Sequence, residues 1–252
     1  MTLSTPLTGP RSPGLGPSDW SLEEEPLLPL RSDWLCVSPT IHEEHCGLFR
    51  VQLLEPEAAS ILRSSLLRAR DWHRERGRWL PPPNSMHRAG FKTEDVGLTP
   101  WVESLVESVL SELAQRLFPQ AMPAAPTGVH SFLVDYGDGV DRDLSQHVDD
   151  SQVTVNLWLG GECEGSEVRF EGTRCVRHLD LRFGPEELFA WRGRPGEALV
   201  HLGLHRHRTL PILSGERQSL IFWLQHSEVR QRWLQAKGTD CPSPCAWTQR
   251  RS

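Results

Sequence analysis

Two segments of the chain repeat apolar residues every three to four positions, which is the spacing of an amphipathic helix. The first segment predicts a helix over about residues 56–78, and the proline run at 81–83 ends it. In the second, Thr99 as N-cap and Pro100 at the first helical position predict a helix that stops before Pro119. The repeating positions are Leu54, Ala58, Leu62, Leu66 and Ala69 in the first segment and Val102, Leu105, Val106, Val109, Leu113 and Leu117 in the second. We expect these helices to form a layer that supports a sheet.

After Pro126 the pattern changes to short runs separated by Gly or Pro turns. In the first run Phe132, Val134 and Tyr136 alternate with their neighbours, so they share one face of a strand. Further strands are predicted at residues 152–159, 167–171, 187–191, 197–204 and 218–225. Short strands between turn signals predict a mainly β fold with supporting helices, either a sandwich or a barrel.

The 252 residues are enough for one sizeable domain. Residues 1–30, rich in Pro, Ser, Gly and Leu, predict a flexible tail, and residues 239–252 predict a second loose tail. We expect residues 31–126 to form an N-terminal helical support region and residues 127–238 to form the β core. The irregular, polar stretch 84–98 fits a substrate loop and an ordinary connector between helices equally well.

Charge and cysteine usage argue against several classes of protein. The net charge of −6 and the pI of about 6.0 disfavour a nucleic-acid partner. The six cysteines lack a small-domain framework, the N-terminus lacks a secretory signal, and no apolar run approaches the ~18 residues of a membrane span. We therefore expect an intracellular protein, cytoplasmic or nuclear, with no membrane partner. Cys241 and Cys245 lie four residues apart, but two sulfurs without further ligands do not predict a zinc site.

The candidate chemistry centres on His147 and Asp149, two residues apart. In an extended strand such residues point to the same face, where an imidazole and a carboxylate can bind a divalent metal. His207 is the candidate third ligand, and two histidines with one carboxylate are the signature of non-haem Fe(II) oxygenases. Arg217 follows ten residues later, and its planar guanidinium suits a bidentate contact with a carboxylate. Ser219 shares the strand face of Arg217.

Other histidines compete for these roles. His178 and Asp180 also form a His-x-Asp pair, but only 29 residues separate it from His207, and that interval must hold two predicted strands. We assign the metal to the first pair and interpret the second as a surface strand or loop. His201, His205 and His207 all share the odd-numbered face of one predicted strand, so periodicity cannot choose among them. Spacing to the following arginine selects His207, leaving His201 as a supporting or core histidine and His205 as the reserve ligand.

Several short motifs occur in a fixed order along the chain. They are His147-x-Asp149, Thr154-Val155-Asn156, His201-x-Gly203-x-x-x-His207, Pro211 and Gly215-Glu216-Arg217-x-Ser219, with Tyr136 eleven residues before His147. This series resembles the 2-oxoglutarate- and Fe(II)-dependent oxygenases of the prolyl-4-hydroxylase-like group. The resemblance is closest to the proteins called 2-oxoglutarate and iron-dependent oxygenase domain-containing proteins. It implies a double-stranded β-helix, a jelly roll of the cupin-like kind.

The resemblance also implies a pocket for 2-oxoglutarate beside the metal. Arg217 and Ser219 can hold one end of this dicarboxylate while its other end binds iron. Tyr136, the only tyrosine of the chain, occupies the position of a 2-oxoglutarate-binding tyrosine in similar proteins, although it can also be a barrel-wall aromatic. Asn156 shares a strand face with Trp158, and both line the pocket if that face points inward; Trp158 can instead serve packing alone.

The implied reaction is a dioxygenation that uses Fe(II), 2-oxoglutarate, O₂ and, as reductant, ascorbate. It couples oxidative decarboxylation of 2-oxoglutarate to succinate with oxidation of an unknown protein or small-molecule substrate. Asp149 favours hydroxylation, because related halogenases lack this carboxylate. Two alternatives stay open: a catalytically inactive metal-binding barrel that acts as a binding module, and a nucleic-acid demethylase. Such demethylases carry a second arginine six residues beyond the first, where Trp223 stands in this chain.

Overall fold

The computed structural model describes residues 40–235 and Cys245. Within these residues the chain forms thirteen strands and four α-helices. The strands are β1 (Ile41–His45), β2 (Leu48–Gln52), β3 (Phe91–Lys92), β4 (Gly128–Tyr136), β5 (Leu144–His147), β6 (Val153–Gly160), β7 (Cys163–Gly165), β8 (Val168–Thr173), β9 (Leu188–Trp191), β10 (Glu197–Leu202), β11 (His205–Thr209), β12 (Ile212–Gly215) and β13 (Arg217–Gln225). The helices are α1 (Pro56–Glu75), α2 (Thr99–Leu105), α3 (Ser111–Leu117) and α4 (Ser227–Gln235).

Two antiparallel sheets form the core. The large sheet has the strand order β1-β2-β10-β6-β13-β4-β3, and the small sheet has the order β5-β11-β8-β9. Strands β7 and β12 pair separately as a two-stranded ribbon. From β4 onward the chain passes repeatedly between the two sheets, with β4, β6, β10 and β13 in the large one and β5, β8, β9 and β11 in the small one. This back-and-forth connectivity is that of a double-stranded β-helix, a form of jelly roll.

The large sheet has one face toward the helices and the other toward the small sheet. In β6, Val155 and Leu157 belong to the same apolar cluster as Leu62 and Leu66 of α1. Because successive side chains of a strand point to opposite faces, Asn156 and its face-mates point away from this helical layer. The polar residues of β6 therefore lie on the side where the two sheets face each other.

Both predicted helical segments are confirmed. Helix α1 ends at Glu75, ahead of the prolines, and Gly77 follows it with a φ of 64°, the left-handed conformation that commonly terminates helices. The second segment is α2 and α3 joined by a π-helical turn at Val106–Leu110. Thr99 is itself the first helical residue, and its predecessor Leu98 occupies the N-cap without a side-chain hydrogen bond, so the predicted cap was one residue late.

The strands predicted in the β core are confirmed, with one correction. The strand expected over 197–204 ends at Leu202, and a turn at Gly203 and Leu204 leads into β11 of the other sheet. A Cβ at Gly203 would lie 2.1 Å from the backbone oxygen of Ser151, so only glycine allows this close approach. The prediction that His201 shares a strand with the later histidines was therefore wrong.

The N-terminal region contains more sheet than its sequence pattern suggested. Strands β1, β2 and β3 fall within the predicted support region 31–126 and extend both edges of the large sheet. The predicted tail 1–30 lies outside the described residues, as does 239–252 apart from Cys245. Within the part of the chain that the structure describes, no helix combines the length and the apolar character needed to cross a membrane.

Candidate metal centre

His147 and His207 lie directly opposite each other on paired strands of the small sheet. His147 is the last residue of β5, His207 is in β11, and the two are partners in the antiparallel register. Their ring centroids are 4.2 Å apart. Asp149 follows in the turn after β5, and its Oδ1 lies 3.5 Å from Nε2 of His147 and 3.8 Å from Nε2 of His207. The three side chains predicted as metal ligands thus converge on one point and are buried.

Backbone carbonyls orient both imidazole rings. Nδ1 of His147 lies 2.7 Å from the carbonyl oxygen of Ser145, and Nδ1 of His207 lies 2.8 Å from that of His205. A carbonyl only accepts, so each Nδ1 donates its proton and each Nε2 keeps its lone pair for a metal. The same i−2 contact at both residues gives the pair one tautomer and one direction.

The carboxylate of Asp149 is held from its far side. Thr154 Oγ1 donates to Oδ2 at 2.7 Å, and the hydroxyl of Ser151 lies 2.8 Å from Thr154 Oγ1. The backbone N–H of Asp149 donates to the carbonyl of Gly203 at 2.9 Å, which ties the ligand-bearing turn to the turn between β10 and β11. Oδ1 is left directed at the two histidines, so the carboxylate is positioned for a metal before one binds.

The protonation of Asp149 and His207 suits metal binding. At His147, burial lowers the pKa, but the contacts with Asp149 and Ser145 outweigh burial and raise it. Burial alone would raise the pKa of the Asp149 carboxyl, but the adjacent His207 and His147 hold this pKa well below its usual range. Burial, reinforced by the charge of His147, lowers the pKa of His207 to about 3. At neutral pH the site therefore offers an ionised carboxylate and a neutral His207, the forms that bind a cation.

Arg217 is a buried cation beside this centre. Its Cζ lies 4.4 Å from the ring centroid of Tyr136 and 4.7 Å from that of Trp158, so the guanidinium stacks between two aromatic rings. Nη1 donates to the carbonyl of Ser166 at 3.2 Å, whereas Nε has no hydrogen-bond partner. No carboxylate among the described residues forms an ion pair with it, and burial lowers its pKa. A buried charge without a counter-ion is costly, which favours an anionic ligand here.

Two further polar atoms on the inner face of the large sheet are without partners. Ser219 Oγ and Asn156 Oδ1 are buried and make no hydrogen bond within the described residues. Ser219 is two residues after Arg217 on β13, and that strand pairs with β6, which carries Asn156. Buried polar groups are normally satisfied, so these atoms indicate room for a polar ligand.

Comparisons with known proteins identify relatives of the chain by sequence. No family model matches it. It is 32% identical over 189 residues to the 2-oxoglutarate and iron-dependent oxygenase domain-containing protein ICU11 of Arabidopsis thaliana, an alignment that covers 75% of this chain and 48% of that protein. It is 31% identical over 151 residues to the 2-oxoglutarate and iron-dependent oxygenase domain-containing protein 2 of Xenopus tropicalis, over 60% of this chain and 42% of that protein. The chain is a homologue of these oxygenase-domain proteins. It spans about half the length of the curated relatives it matches.

The fold comparison agrees with these relatives. A prolyl-4-hydroxylase from Pseudomonas putida superposes with a TM-score of 0.50 at 15% identity, over 73% of this chain and 94% of that one. At this identity the likeness concerns the fold alone. The predicted double-stranded β-helix, mainly β with supporting helices, is confirmed.

Sequence reasoning did not identify Thr209 and His87, two residues that contact Tyr136 in this oxygenase-domain homologue. The hydroxyl of Tyr136 lies 3.2 Å from Oγ1 of Thr209 and 3.4 Å from Nε2 of His87. Thr209 was detectable, because it stands two residues after His207 and so shares its strand face. His87 was not, because it lies in the irregular 84–98 stretch; burial, with smaller effects of nearby charges that include His147 and Arg217, lowers its pKa to about 4.

The competing histidines of the 197–207 region lie on two different strands. His201 lies in β10 of the large sheet, and its ring centroid is 5.1 Å from that of His207. His205 is in β11, with its centroid 5.1 Å from that of Phe170. Nε2 of His201 and Nε2 of His205 have no hydrogen-bond partner. Neither histidine belongs to the group of possible metal ligands that contains Asp149. Among the described histidines, His147 and His207 are the two that meet Asp149 as candidate ligands.

The second His-x-Asp pair does not form a similar site. His178 ends a short 3₁₀ turn, Val176–His178, and Asp180 is exposed to solvent. His178 instead lies beside Cys175 and Cys245, and these three side chains form a group of their own. The sequence interpretation, which considered Cys245 only with Cys241, did not identify Cys175 and His178 as its neighbours, because neither is near it in the sequence.

Proposed function

We propose that this chain is an Fe(II)- and 2-oxoglutarate-dependent dioxygenase, and specifically a hydroxylase. The observation that carries the proposal is the pairing of three convergent donor atoms with a buried guanidinium that has no carboxylate partner. The two parts are linked through Tyr136, which stacks on Arg217 and contacts Thr209, two residues from His207. An adventitious metal site would not need this cation beside it.

The donor set fits Fe(II). His147 and His207 would bind the ion through Nε2, and Asp149 would bind it through Oδ1. Two imidazoles and one carboxylate are the ligand type of non-haem iron oxygenases, and the absence of thiolates separates this group from a structural zinc site. The carbonyl contacts at both Nδ1 atoms and the Thr154 contact at Asp149 support these three donors.

The buried polar groups around Arg217 fit a dicarboxylate. Arg217 would bind one carboxylate of 2-oxoglutarate, with Ser219 as a second donor and Tyr136 and Asn156 as further contacts. Each contributes a buried group, and the unpartnered Nε of Arg217 and Oγ of Ser219 would then donate to the ligand. Asn156 would contact it through its amide nitrogen, because its Oδ1 is an acceptor. Stacking between Tyr136 and Trp158 holds the planar guanidinium in one orientation, which favours bidentate binding of a carboxylate.

The residues of the chain would bind, orient and shield the reactants. When bound, iron and 2-oxoglutarate supply the oxidising power, through decarboxylation of the keto acid to succinate with O₂ as oxidant. The apolar walls of the two facing sheets exclude water, and Asp149 stays ionised to offset part of the metal charge. The substrate is an unidentified protein or small molecule, the 84–98 stretch is a candidate for contacting it, and ascorbate is the proposed reductant.

Succinate formation tests the proposal directly. The purified full chain would be loaded with Fe(II) under nitrogen, then given 2-oxoglutarate and O₂, with and without ascorbate and candidate peptides. We expect iron-dependent succinate, measured by mass spectrometry, and much less from an Arg217→Ala variant that retains iron. If the iron-loaded protein neither binds 2-oxoglutarate in a calorimetric titration nor forms succinate, the proposal fails, and the barrel acts as a binding module.

A further inference from the structure

A second group of metal-type ligands lies on the loop that follows β8. Nδ1 of His178 is 3.4 Å from Sγ of Cys175 and 3.5 Å from Sγ of Cys245. All three donor atoms lie within 4.8 Å of one another. Cys175 and Cys245 are 3% and 0% exposed, so the sulfurs are shielded from solvent. Two of these residues are three positions apart, whereas the third comes from the far C-terminal part of the chain.

We infer that Cys175, His178 and Cys245 form a structural Zn²⁺ site, distinct from the His147/Asp149/His207 centre. Zinc is held by sulfur at about 2.3 Å and by nitrogen at about 2.0–2.1 Å in a tetrahedral arrangement, which places S and N donors about 3.6 Å apart. The two S–N distances of 3.4 and 3.5 Å are close to this value. A tetrahedral ion would then have three protein ligands from the described residues and one further position.

Two sulfurs of the cluster approach the same ring nitrogen. One ring nitrogen carries either one proton or one lone pair, so Nδ1 of His178 can make one good hydrogen bond, not two, to sulfur. The backbone N–H of Cys175 also donates to Sγ of Cys245 at 3.4 Å, a contact that stabilises a thiolate. A cation between the three donors would be bound by both sulfurs and the ring nitrogen together.

The donor types of this second cluster favour zinc, whereas those of the His147/Asp149/His207 centre favour iron. Thiolate sulfur is a soft ligand that favours Zn²⁺, whereas the carboxylate at Asp149 favours a harder ion. Two residues separate Cys175 from His178, so one short segment supplies two of the three donors.

The site would stabilise the loop that supports the iron-binding strands. Arg206, next to His207, donates to the carbonyls of Leu179 and Leu181 at 2.6 and 2.5 Å. Gln146, next to His147, donates to the same carbonyl of Leu179 at 2.8 Å. A zinc ion bound at His178 would fix the start of this loop and hold the C-terminal segment against it.

Metal analysis of the full chain tests this inference. The background is the His147→Ala/His207→Ala double variant, in which the first centre cannot hold zinc. We expect about one zinc per chain after purification without added metal, and loss of that zinc in Cys175→Ser and in Cys245→Ser. His178→Ala should lose zinc and His178→Cys should retain it, because a third thiolate replaces the imidazole. Cys46→Ser and Cys163→Ser, cysteines outside the cluster, are matched controls that should keep it.

Cobalt replacement gives a readout that does not require removing Cys175, His178 or Cys245. Co²⁺ bound in the same double variant should show a thiolate-to-metal charge-transfer band in the near ultraviolet, together with the visible bands of tetrahedral cobalt. The inference is overturned if the protein holds no zinc and shows no such band. Zinc retained by both cysteine variants, or a disulfide between Cys175 and Cys245 detected by mass spectrometry, would overturn it as well.

Discussion

The two His-containing clusters differ in what builds them. His147 and His207 are cross-strand partners in a regular sheet, and backbone carbonyls set the direction of both rings. Cys175 and His178 lie on a short turn, and their companion Cys245 comes from a segment 67 residues after His178. The first cluster has nitrogen and oxygen donors, whereas the second has nitrogen and sulfur donors. The contrast supports the proposal of a catalytic centre at the first cluster and a structural site at the second.

The contrast also shows that a short His-x-Asp motif does not by itself determine whether its two side chains meet. His147-x-Asp149 and His178-x-Asp180 are the same pattern, yet only Asp149 turns back toward its histidine, while Asp180 faces solvent. The difference comes from the contacts of Asp149 with Thr154 and with the backbone of the 203–204 turn. Thr154 is five residues from Asp149 and Gly203 is far from it in sequence, so the motif alone contains neither contact.

The largest expected effect is a double dissociation between the two histidines. His147→Ala should abolish Fe(II) binding and succinate formation, because it removes one of three ligands. His178→Ala should leave Fe(II) binding at the first centre intact. Iron binding measured by calorimetry under nitrogen would separate the two, and iron loss in His178→Ala but not in His147→Ala would reverse our ligand assignment.

Asp149→Gly should have the next largest effect. The variant keeps both imidazoles but removes the anionic ligand and opens a coordination position, so iron affinity should fall and hydroxylation should cease. Added chloride or azide should then perturb the metal spectrum more than in the parent. Asp149→Glu should also be poor, since an extra methylene moves the oxygen by more than the ~0.5 Å that such sites tolerate. Near-parental iron affinity and turnover in Asp149→Gly would refute the three-ligand centre.

Arg217→Ala should weaken the binding of 2-oxoglutarate without releasing iron. Each lost charge-assisted contact costs about 1.5–3 kcal/mol, so the 2-oxoglutarate concentration needed for half-maximal succinate formation should rise at least about tenfold. Arg217→Lys should recover only part of this loss, because a lysine cannot make the planar fork. An unchanged requirement in Arg217→Ala would move the carboxylate-binding role to another residue.

The smallest of these effects is expected from Thr154→Val. The substitution keeps the shape of the side chain but removes the hydroxyl that donates to Oδ2 of Asp149. Outer hydrogen bonds of this kind contribute about tenfold to metal affinity, so iron should bind more weakly with the fold retained. Circular dichroism would check the fold, and the zinc content of the Cys175 cluster should stay unchanged. Parental iron affinity would mean that the turn alone orients the carboxylate.

Much of the core and of the candidate centre could be predicted because strand alternation is a local signal. The His-x-Asp spacing, the distance from His207 to Arg217 and the family resemblance together selected the three residues that the structure brings together. The break after Leu202 was not predictable from periodicity, since the odd-numbered face continues unbroken through Gly203. His87 and the Cys245 cluster depend on contacts between distant segments, which no local pattern records.

Tyr136 makes the pocket unusually easy to observe. It is the only tyrosine in 252 residues, and it stacks on Arg217 while its hydroxyl faces Thr209. A protein grown with a fluorinated tyrosine would therefore carry a single fluorine label, located at the proposed co-substrate pocket. Its one ¹⁹F resonance would move when an anion meets the guanidinium and would broaden when a paramagnetic ion occupies the nearby centre. Occupancy of both could then be followed in solution from one signal.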